Sequence, residues 1–138
     1  MSVIYSFHLA PHPLTQDPKD LGGLDLLCVP AGMFRFLRER VGCKADFVAL
    51  ARCTVRNEYV GIVRTYRRGS TTLRANGTWV CPKDRDSGIA RKLWLDMLDK
   101  TSAQRVEVST MTRAGTRFIR SLQNYRADIE FVLKREHA

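Results

Sequence analysis

The stretch Trp79-Val-Cys-Pro-Lys-Asp-Arg-Asp-Ser-Gly-Ile-Ala90 joins a strand-like run to a helical pattern. β-branched and aromatic residues precede Pro82, and a charged turn with a single glycine follows it. Apolar residues then recur at the spacing of one helix face, namely Ile89, Ala90, Leu93, Trp94, Met97 and Leu98. The pattern predicts a strand that ends near Cys81 and a helix that continues to Thr101. It also predicts that Trp94 lies in the core.

The chain after this helix repeats the alternation of strand and helix. Residues 105–112 place Val106 and Val108 between polar neighbours, as a strand does, and residues 114–125 return to helical spacing. A final strand is expected at residues 128–133, followed by a charged tail. The segment between Pro82 and Ile89 is therefore interpreted as a strand-to-helix junction.

A junction of this kind favours binding of an anion. The first backbone N–H groups of a helix have no partner within the helix, and the aligned peptide dipoles place partial positive charge there. Gly88 leaves room for the backbone to approach a phosphate closely, and Arg85, Arg91 and Lys92 add positive charge. The alternative is an ordinary turn between strand and helix, in which Gly88 eases a tight bend.

The motif at this junction resembles that of a known family. Arg85-x-x-Gly88-x-Ala90, preceded by Val80-x-Pro82 and followed by an amphipathic helix, is similar to the acyl-CoA pyrophosphate loop of the GNAT N-acetyltransferase superfamily. The resemblance covers roughly residues 47–133. It implies an α/β fold with a mixed, mostly antiparallel sheet and helices on both faces. The superfamily commonly has two strands after its last helix and only one fits here, which implies a minimal or trimmed member.

The resemblance also implies an activity and a set of contacts. The implied reaction moves an acetyl group from acetyl-CoA to an amine of a small molecule or a protein. Backbone groups of Val80 and Cys81 would contact the pantetheine arm. The residues implied around the pyrophosphate are Arg85, Asp86, Ser87, Gly88, Ile89 and Ala90. Asp86 stands where the family often has glycine, which weakens the electrostatic argument locally.

Candidates for proton transfer are few. The strand before the loop, Leu73 to Val80, contains no carboxylate, and we expect Glu58 and Glu107 to be solvated side chains. The family often places a catalytic tyrosine in its last helix, and Tyr125 is a candidate for it although it lies beyond the matching position near Ile119. Ser121 is a second candidate. A catalytic role for Cys81 is less favoured than a buried, apolar one.

The earlier part of the chain supplies the remaining elements. Strands are predicted at Ser2 to Leu9, Phe47 to Thr54, Tyr59 to Tyr66 and Leu73 to Cys81. Residues 14–30 are predicted to form a loop with a short helix, and a longer helix is predicted from Ala31 to near Gly42. A chain of 138 residues, 44% of them hydrophobic, suits a single domain over residues 1–138. No membrane-spanning or secretory segment is evident, and the four cysteines are too unevenly spaced to indicate a zinc site or a disulfide framework. A cytoplasmic protein with reduced thiols, two or three of them buried, is expected.

The net charge of +9 favours an anionic partner, which could be a phosphorylated cofactor, nucleic acid or an acidic protein; the alternative is a solvated basic surface that aids solubility. Around one hairpin turn lie Arg64, Arg67, Arg68 and Arg74. These arginines support an alternative function: a nucleic-acid-modifying enzyme similar to the Mom proteins of phages, or a binding protein of the same fold without catalysis. The same charges could instead form a solvated edge hairpin that resists aggregation.

Overall fold

The structure, a computed structural model, describes residues 2–17, 19, 26–109 and 112–134. Six strands form one sheet in the order of the sequence. The strands are β1 (Val3–Leu9), β2 (Phe47–Cys53), β3 (Glu58–Arg67), β4 (Thr72–Val80), β5 (Arg105–Ser109) and β6 (Glu130–Lys134). The α-helices are α1 (Ala31–Arg38), α2 (Ile89–Thr101) and α3 (Arg113–Tyr125). Within these described residues, no helix is long and apolar enough to cross a membrane.

The sheet changes direction at β4. Strands β1 to β4 are antiparallel to their neighbours, whereas β5 runs parallel to β4 and β6 runs parallel to β5. The β4–β5 pairing is short and ends at Arg74 opposite Glu107. Beyond this point the two strands are no longer paired, so the second half of β4 has one edge without a neighbouring strand.

A bulge interrupts β4 just after the β4–β5 pairing ends. Val63 of β3 pairs with Thr78, but Thr65 pairs with Ala75, so that Asn76 and Gly77 both lie opposite Arg64. Gly77 has φ of +102°, a conformation that glycine adopts without the steric cost other residues incur. The bulge shifts the side chains of β4 relative to the gap beside it.

Helices cover both faces of the sheet, as predicted. Strand β2 shows this best, because its side chains alternate between two buried clusters. Val48 and Leu50 belong to the cluster that contains Met33 and Phe36 of α1. Ala49 and Ala51 belong to the cluster that contains the apolar face of α2 and residues of α3. The fold is therefore α/β, with a mixed, mostly antiparallel sheet between helices.

Most predicted elements lie within one or two residues of their observed bounds, but two ends differ. The strand predicted over residues 105–112 ends at Ser109, and Thr112 instead caps α3 by accepting a hydrogen bond from the Gly115 N–H at 3.1 Å. Helix α1 ends at Arg38 and not near Gly42. The loop and short helix predicted at residues 14–30 fall partly outside the described residues.

The predicted core residues are buried. Trp94 is 2% exposed, and Cys28, Cys53 and Cys81 are also buried, while Cys43 is exposed. This agrees with the expectation of two or three buried thiols and an apolar environment for Cys81. Among the described residues, one strand follows α3, as the shortened version of the family pattern predicts.

Gly61 of β3 lies directly beneath α2, and we expect Gly61→Ala to destabilise the protein. An added Cβ would be 2.9 Å from both Ile89 Cγ2 and Leu93 Cδ1, closer than packed carbon atoms approach. Overpacking of this kind typically costs about 1–3 kcal/mol. Thermal or urea unfolding measures the loss, and Gly69→Ala, where the nearest atom is 3.8 Å away, is the control. Equal stability of the two variants would contradict the close packing of α2 on β3.

Candidate active site

A cavity of about 800 Å³ occupies the gap where β4 and β5 separate. The bulged half of β4 forms one wall, and Val108 and Ser109 of β5 form part of the other. Phe118 and Ile119 of α3 also line it, and the segment from Asp84 to Arg91 closes one end. The cavity follows from the topology, because a parallel pair that separates leaves a space that only side chains and helices can cover.

The predicted phosphate loop lies at that end. Gly88 precedes the first residue of α2 with φ of +84°, and a Cβ there would meet only the mobile end of Arg91, at 3.4 Å from Nη2. No side chain caps α2, and its first turn contains no acidic residue. Lys92 is the residue whose N–H bonds to the Gly88 carbonyl, at 3.0 Å. The backbone amides of residues 89–91 come before this hydrogen bond and therefore remain available to an anion.

Most of the predicted cofactor residues line this cavity. Those that do are Val80, Arg85, Asp86, Gly88, Ile89 and Ala90. Cys81 and Ser87 lie outside the lining. The Ser87 hydroxyl instead donates a short hydrogen bond to the Asp84 carbonyl, which stabilises the turn before α2.

The backbone expectation for Cys81 requires correction. Its N–H donates to the Val60 carbonyl on β3 at 2.8 Å, so it cannot donate to a ligand. Because successive backbone groups of a strand point to opposite sides, the N–H of Val80 points to the side that β5 has left. The Val80 carbonyl on that side accepts a hydrogen bond from Arg85 Nε at 3.2 Å. Val80, and not Cys81, thus offers an amide to the cavity.

An ion pair missed by the sequence analysis holds the loop in place. Asp84 is 5% exposed, and its Oδ2 lies 2.6 Å from Nη2 of Arg56 in the β2–β3 turn. The hydrogen bond that Arg56 donates to the Asp84 carboxylate raises the pKa of Arg56. Arg56 also pairs with Glu58 at 3.0 Å, so Glu58 is engaged in an ion pair and not simply solvated. The partners are 28 residues apart, and no periodic signal in the sequence connects them.

We expect Asp84→Ala to lower the melting temperature by several degrees and to weaken ligand binding at the loop. The change leaves Arg56 without its more buried partner and frees the turn before α2. Glu58→Ala is the matched control, because it removes the other carboxylate from the same arginine but lies outside the loop. Differential scanning calorimetry measures both. If the two variants lose equal stability and bind ligand equally, the loop does not depend on this ion pair.

The candidates for proton transfer occupy different places. Tyr125 ends α3, is 55% exposed and does not line the cavity; the Arg91 guanidinium lies 4.9 Å from its ring centroid. Ser121, one turn earlier, does line the cavity, although its hydroxyl donates to the Phe118 carbonyl at 2.6 Å. The structure therefore places the less favoured residue nearer to the site.

The expectation that Glu107 is solvated is wrong. Glu107 is 7% exposed and lies 3.5 Å from Lys134, 3.6 Å from Arg68 and 3.7 Å from Arg74. Burial raises its pKa, but the attraction of Lys134 and Arg68 outweighs burial and leaves the pKa below its usual value. A carboxylate stabilised in this way is a poor proton acceptor. It also lies on the opposite face of β5 from Val106 and Val108.

The four arginines around the hairpin do not form one exposed surface. Arg64 is completely buried and donates to the carbonyls of Leu14, Gln16 and Cys43, at 3.0 to 3.2 Å. Burial lowers the pKa of Arg64 to about 10. The proposed phosphate contact of Arg64 is therefore wrong. Arg74 is held by Glu107 and by the Ser109 hydroxyl, whereas Arg67 and Arg68 are exposed.

Comparison with known proteins identifies the fold. No protein-family model and no curated protein matches the sequence. Among solved structures, a GNAT-family acetyltransferase from Streptococcus pneumoniae TIGR4 aligns with a TM-score of 0.57 and 18% identity, over 88% of this chain and 86% of that one.

Two further structures agree in fold and carry ligands. The diaminobutyrate acetyltransferase EctA from Paenibacillus lautus, solved with L-2,4-diaminobutyric acid and coenzyme A, has a TM-score of 0.55 and 18% identity, over 92% of this chain and 76% of that one. An aminoglycoside acetyltransferase from an uncultured soil metagenomic sample, in complex with sisomicin, has a TM-score of 0.55 and 14% identity, over 88% of this chain and 87% of that one. Since the sheet, the separated strands and the loop before α2 occur together, the chain has the fold of the GNAT acetyltransferases.

Proposed function

We propose that this protein transfers an acetyl group from acetyl-CoA to the amine of an acceptor molecule. The observation that carries the proposal is the cavity between β4 and β5, which ends at the uncapped first turn of α2. Structures of similar fold have been solved with acetyl-CoA or coenzyme A and with amine ligands, which supports this use of the cavity.

The loop before α2 is suited to the pyrophosphate of the cofactor. The free amides that follow Gly88 can donate to phosphate oxygens, and the helix dipole favours negative charge there. Arg85 and Arg91 both line this end and add positive charge. The first turn of α2 contains no carboxylate, and the Asp86 carboxylate in the lining of this end offsets part of the positive charge.

The open edge of β4 is suited to the pantetheine arm. The Val80 amide faces the gap, and an extended amide-containing chain can pair with it as a further strand would. Trp94 and Ile89 present apolar surface to the same cavity, and Phe118 faces them from α3. Together they would exclude water from the reacting groups.

The chemistry follows from this arrangement. Acetyl-CoA supplies a thioester whose carbonyl carbon an unprotonated amine can attack directly while both are bound. The chain contributes the backbone donors of β4, which favour negative charge at the carbonyl oxygen. Attack forms the C–N bond and breaks the C–S bond, and the proton that the nitrogen loses passes to the departing thiolate. Ser121, the hydroxyl of α3 that lines the cavity, is the candidate to relay it.

Calorimetric titration with CoA and with acetyl-CoA tests the binding step. Thiol release from acetyl-CoA in the presence of pooled amines then tests transfer. We expect binding of both molecules and thiol release that depends on the amines. Absence of heat and of a melting-temperature shift at millimolar CoA would contradict the proposal.

A further inference from the structure

Arg40, just beyond α1, reaches across the molecule to the bulge of β4. Its Nε donates to the Asn76 carbonyl at 3.2 Å, and its Nη1 donates to the Phe36 carbonyl at 2.7 Å. The guanidinium lies 3.6 Å from the centroid of the Phe36 ring. The side chain is 24% exposed and lines the cavity. Arg40 is therefore fixed in place and at the same time accessible from the gap.

Gly77 makes this position possible. A Cβ at Gly77 would overlap Arg40 Nε and would lie 2.7 Å from both Arg40 Nη2 and Phe36 Cζ. The positive φ of Gly77 at the bulge turns the strand so that the guanidinium packs directly on its backbone. Both the glycine and the bulge thus contribute to the placement of one cation at the wall of the cavity.

Arg40 retains donor capacity. Its Nη2 makes no hydrogen bond with any residue that the structure describes. Its nearest carboxylate partner is Glu39, 3.9 Å from Nη1, and the Glu39 side chain is 66% exposed, so the pair is weak. A guanidinium with a free N–H beside an open space is a natural partner for a planar carboxylate.

The charges that line the cavity are separated along its length. Asp84, Arg85, Asp86 and Arg91 all belong to the loop end. Asn76 lies four residues before Val80, about 13 Å along an extended strand. Among the described lining residues, Arg40 is the one charged side chain at the bulge end, and the buried charge of Arg64 lies close enough to Arg40 to add to the positive potential.

We propose that Arg40 binds a carboxylate of the acceptor, so that the acceptors are small amines that also carry a carboxylate, such as amino acids. Acetylation of the acceptor amine rests on the proposed function, but binding of the carboxylate by Arg40 does not depend on acetyl transfer. A positive wall at the acceptor end also disfavours polyamines and other acceptors that carry several positive charges.

Matched acceptors separate the contribution of the carboxylate from that of the amine. The probes are single amino acids, each paired with the amine left by its decarboxylation, for example lysine with cadaverine. Calorimetry without CoA measures binding, and thiol release with acetyl-CoA measures kcat/KM. We expect at least one amino acid to bind and to react at least tenfold better than its paired amine, the effect of one charge-assisted hydrogen bond.

Variants assign the effect to Arg40. Arg40→Gln should abolish the preference within each pair and leave CoA binding unchanged, and Arg40→Lys should restore part of it. Arg38→Gln, an exposed arginine that ends α1, should retain the full preference. Equal use of paired acceptors by the wild type, a preference that survives in Arg40→Gln, or no binding by any amino acid would overturn the proposal. Binding of amino acids through Arg40 without any CoA binding would keep the anion site and reject acetyl transfer.

Discussion

Replacement of Gly88 by glutamate is expected to abolish CoA binding. The glycine stands before the uncapped turn of α2 with φ of +84°, and it leaves open the space that a phosphate needs. A glutamate side chain would fill that space and place a negative charge against the phosphate. Calorimetric titration of the variant should give no heat at CoA concentrations that saturate the native protein.

Two comparisons assign the loss to the site. Arg85→Ala should only weaken binding, by about 1.5–3 kcal/mol, because the backbone amides remain in place. Gly42→Glu introduces the same side chain at another positive-φ glycine, φ +90°, which lies outside the cavity lining. It should match Gly88→Glu in melting temperature and still bind CoA. Full CoA affinity in Gly88→Glu would show that the ligand does not occupy this loop.

The substitution Trp94→Ala is expected to cost about 3–5 kcal/mol, a large part of the stability of a domain this size. Trp94 is 2% exposed, packs between α2 and the sheet, and donates from Nε1 to the Thr78 hydroxyl on β4 at 2.9 Å. Loss of the ring leaves a large void beneath the cavity. Urea unfolding monitored by far-UV circular dichroism measures the change.

Two milder variants divide this cost between packing and hydrogen bonding. Trp94→Phe keeps much of the apolar volume but removes the indole N–H, and Thr78→Val removes the acceptor. Both should lose less stability than Trp94→Ala does. A melting temperature that is unchanged in Trp94→Ala would contradict the burial of this ring.

The fold could largely be predicted because its signals are local. The helical spacing from Ile89 to Leu98 predicts the face of α2 that is buried. Alternation around Val106 and Val108 predicts β5, and Gly88 before an uncapped helix predicts the loop. Each of these patterns spans about three turns of helix or a few residues of strand, so it can be read without knowing the tertiary structure.

Charged residues in strands were harder to predict. Arg64 and Glu107 were both expected at the surface, since charged side chains are seldom buried. Arg64 is buried because three backbone carbonyls from two separate loops accept its hydrogen bonds. Glu107 is buried because basic residues from a turn, from β4 and from β6 surround it. The partners come from distant parts of the chain, and spacing in the sequence does not reveal them.

The same reason explains what was missed at the site. Asp84 depends on Arg56, 28 residues away, and Arg40 reaches the backbone of Asn76, 36 residues away. Gly77 gives a weak signal, since a glycine inside a strand often marks a bulge. The sequence nevertheless does not show which side chain lies against that bulge.

The spatial order of the strands has a consequence for folding during synthesis. Each strand is hydrogen-bonded to the next one in the sequence, so the antiparallel part, β1 to β4, can be complete before β5 and β6 leave the ribosome. Val108 and Phe118, which close the far side of the cavity, belong to elements that are made after β4. We therefore expect the cavity to form after the antiparallel part of the sheet. A ligand that bridges β4 and α3 would then stabilise the docking of these later elements on the antiparallel part.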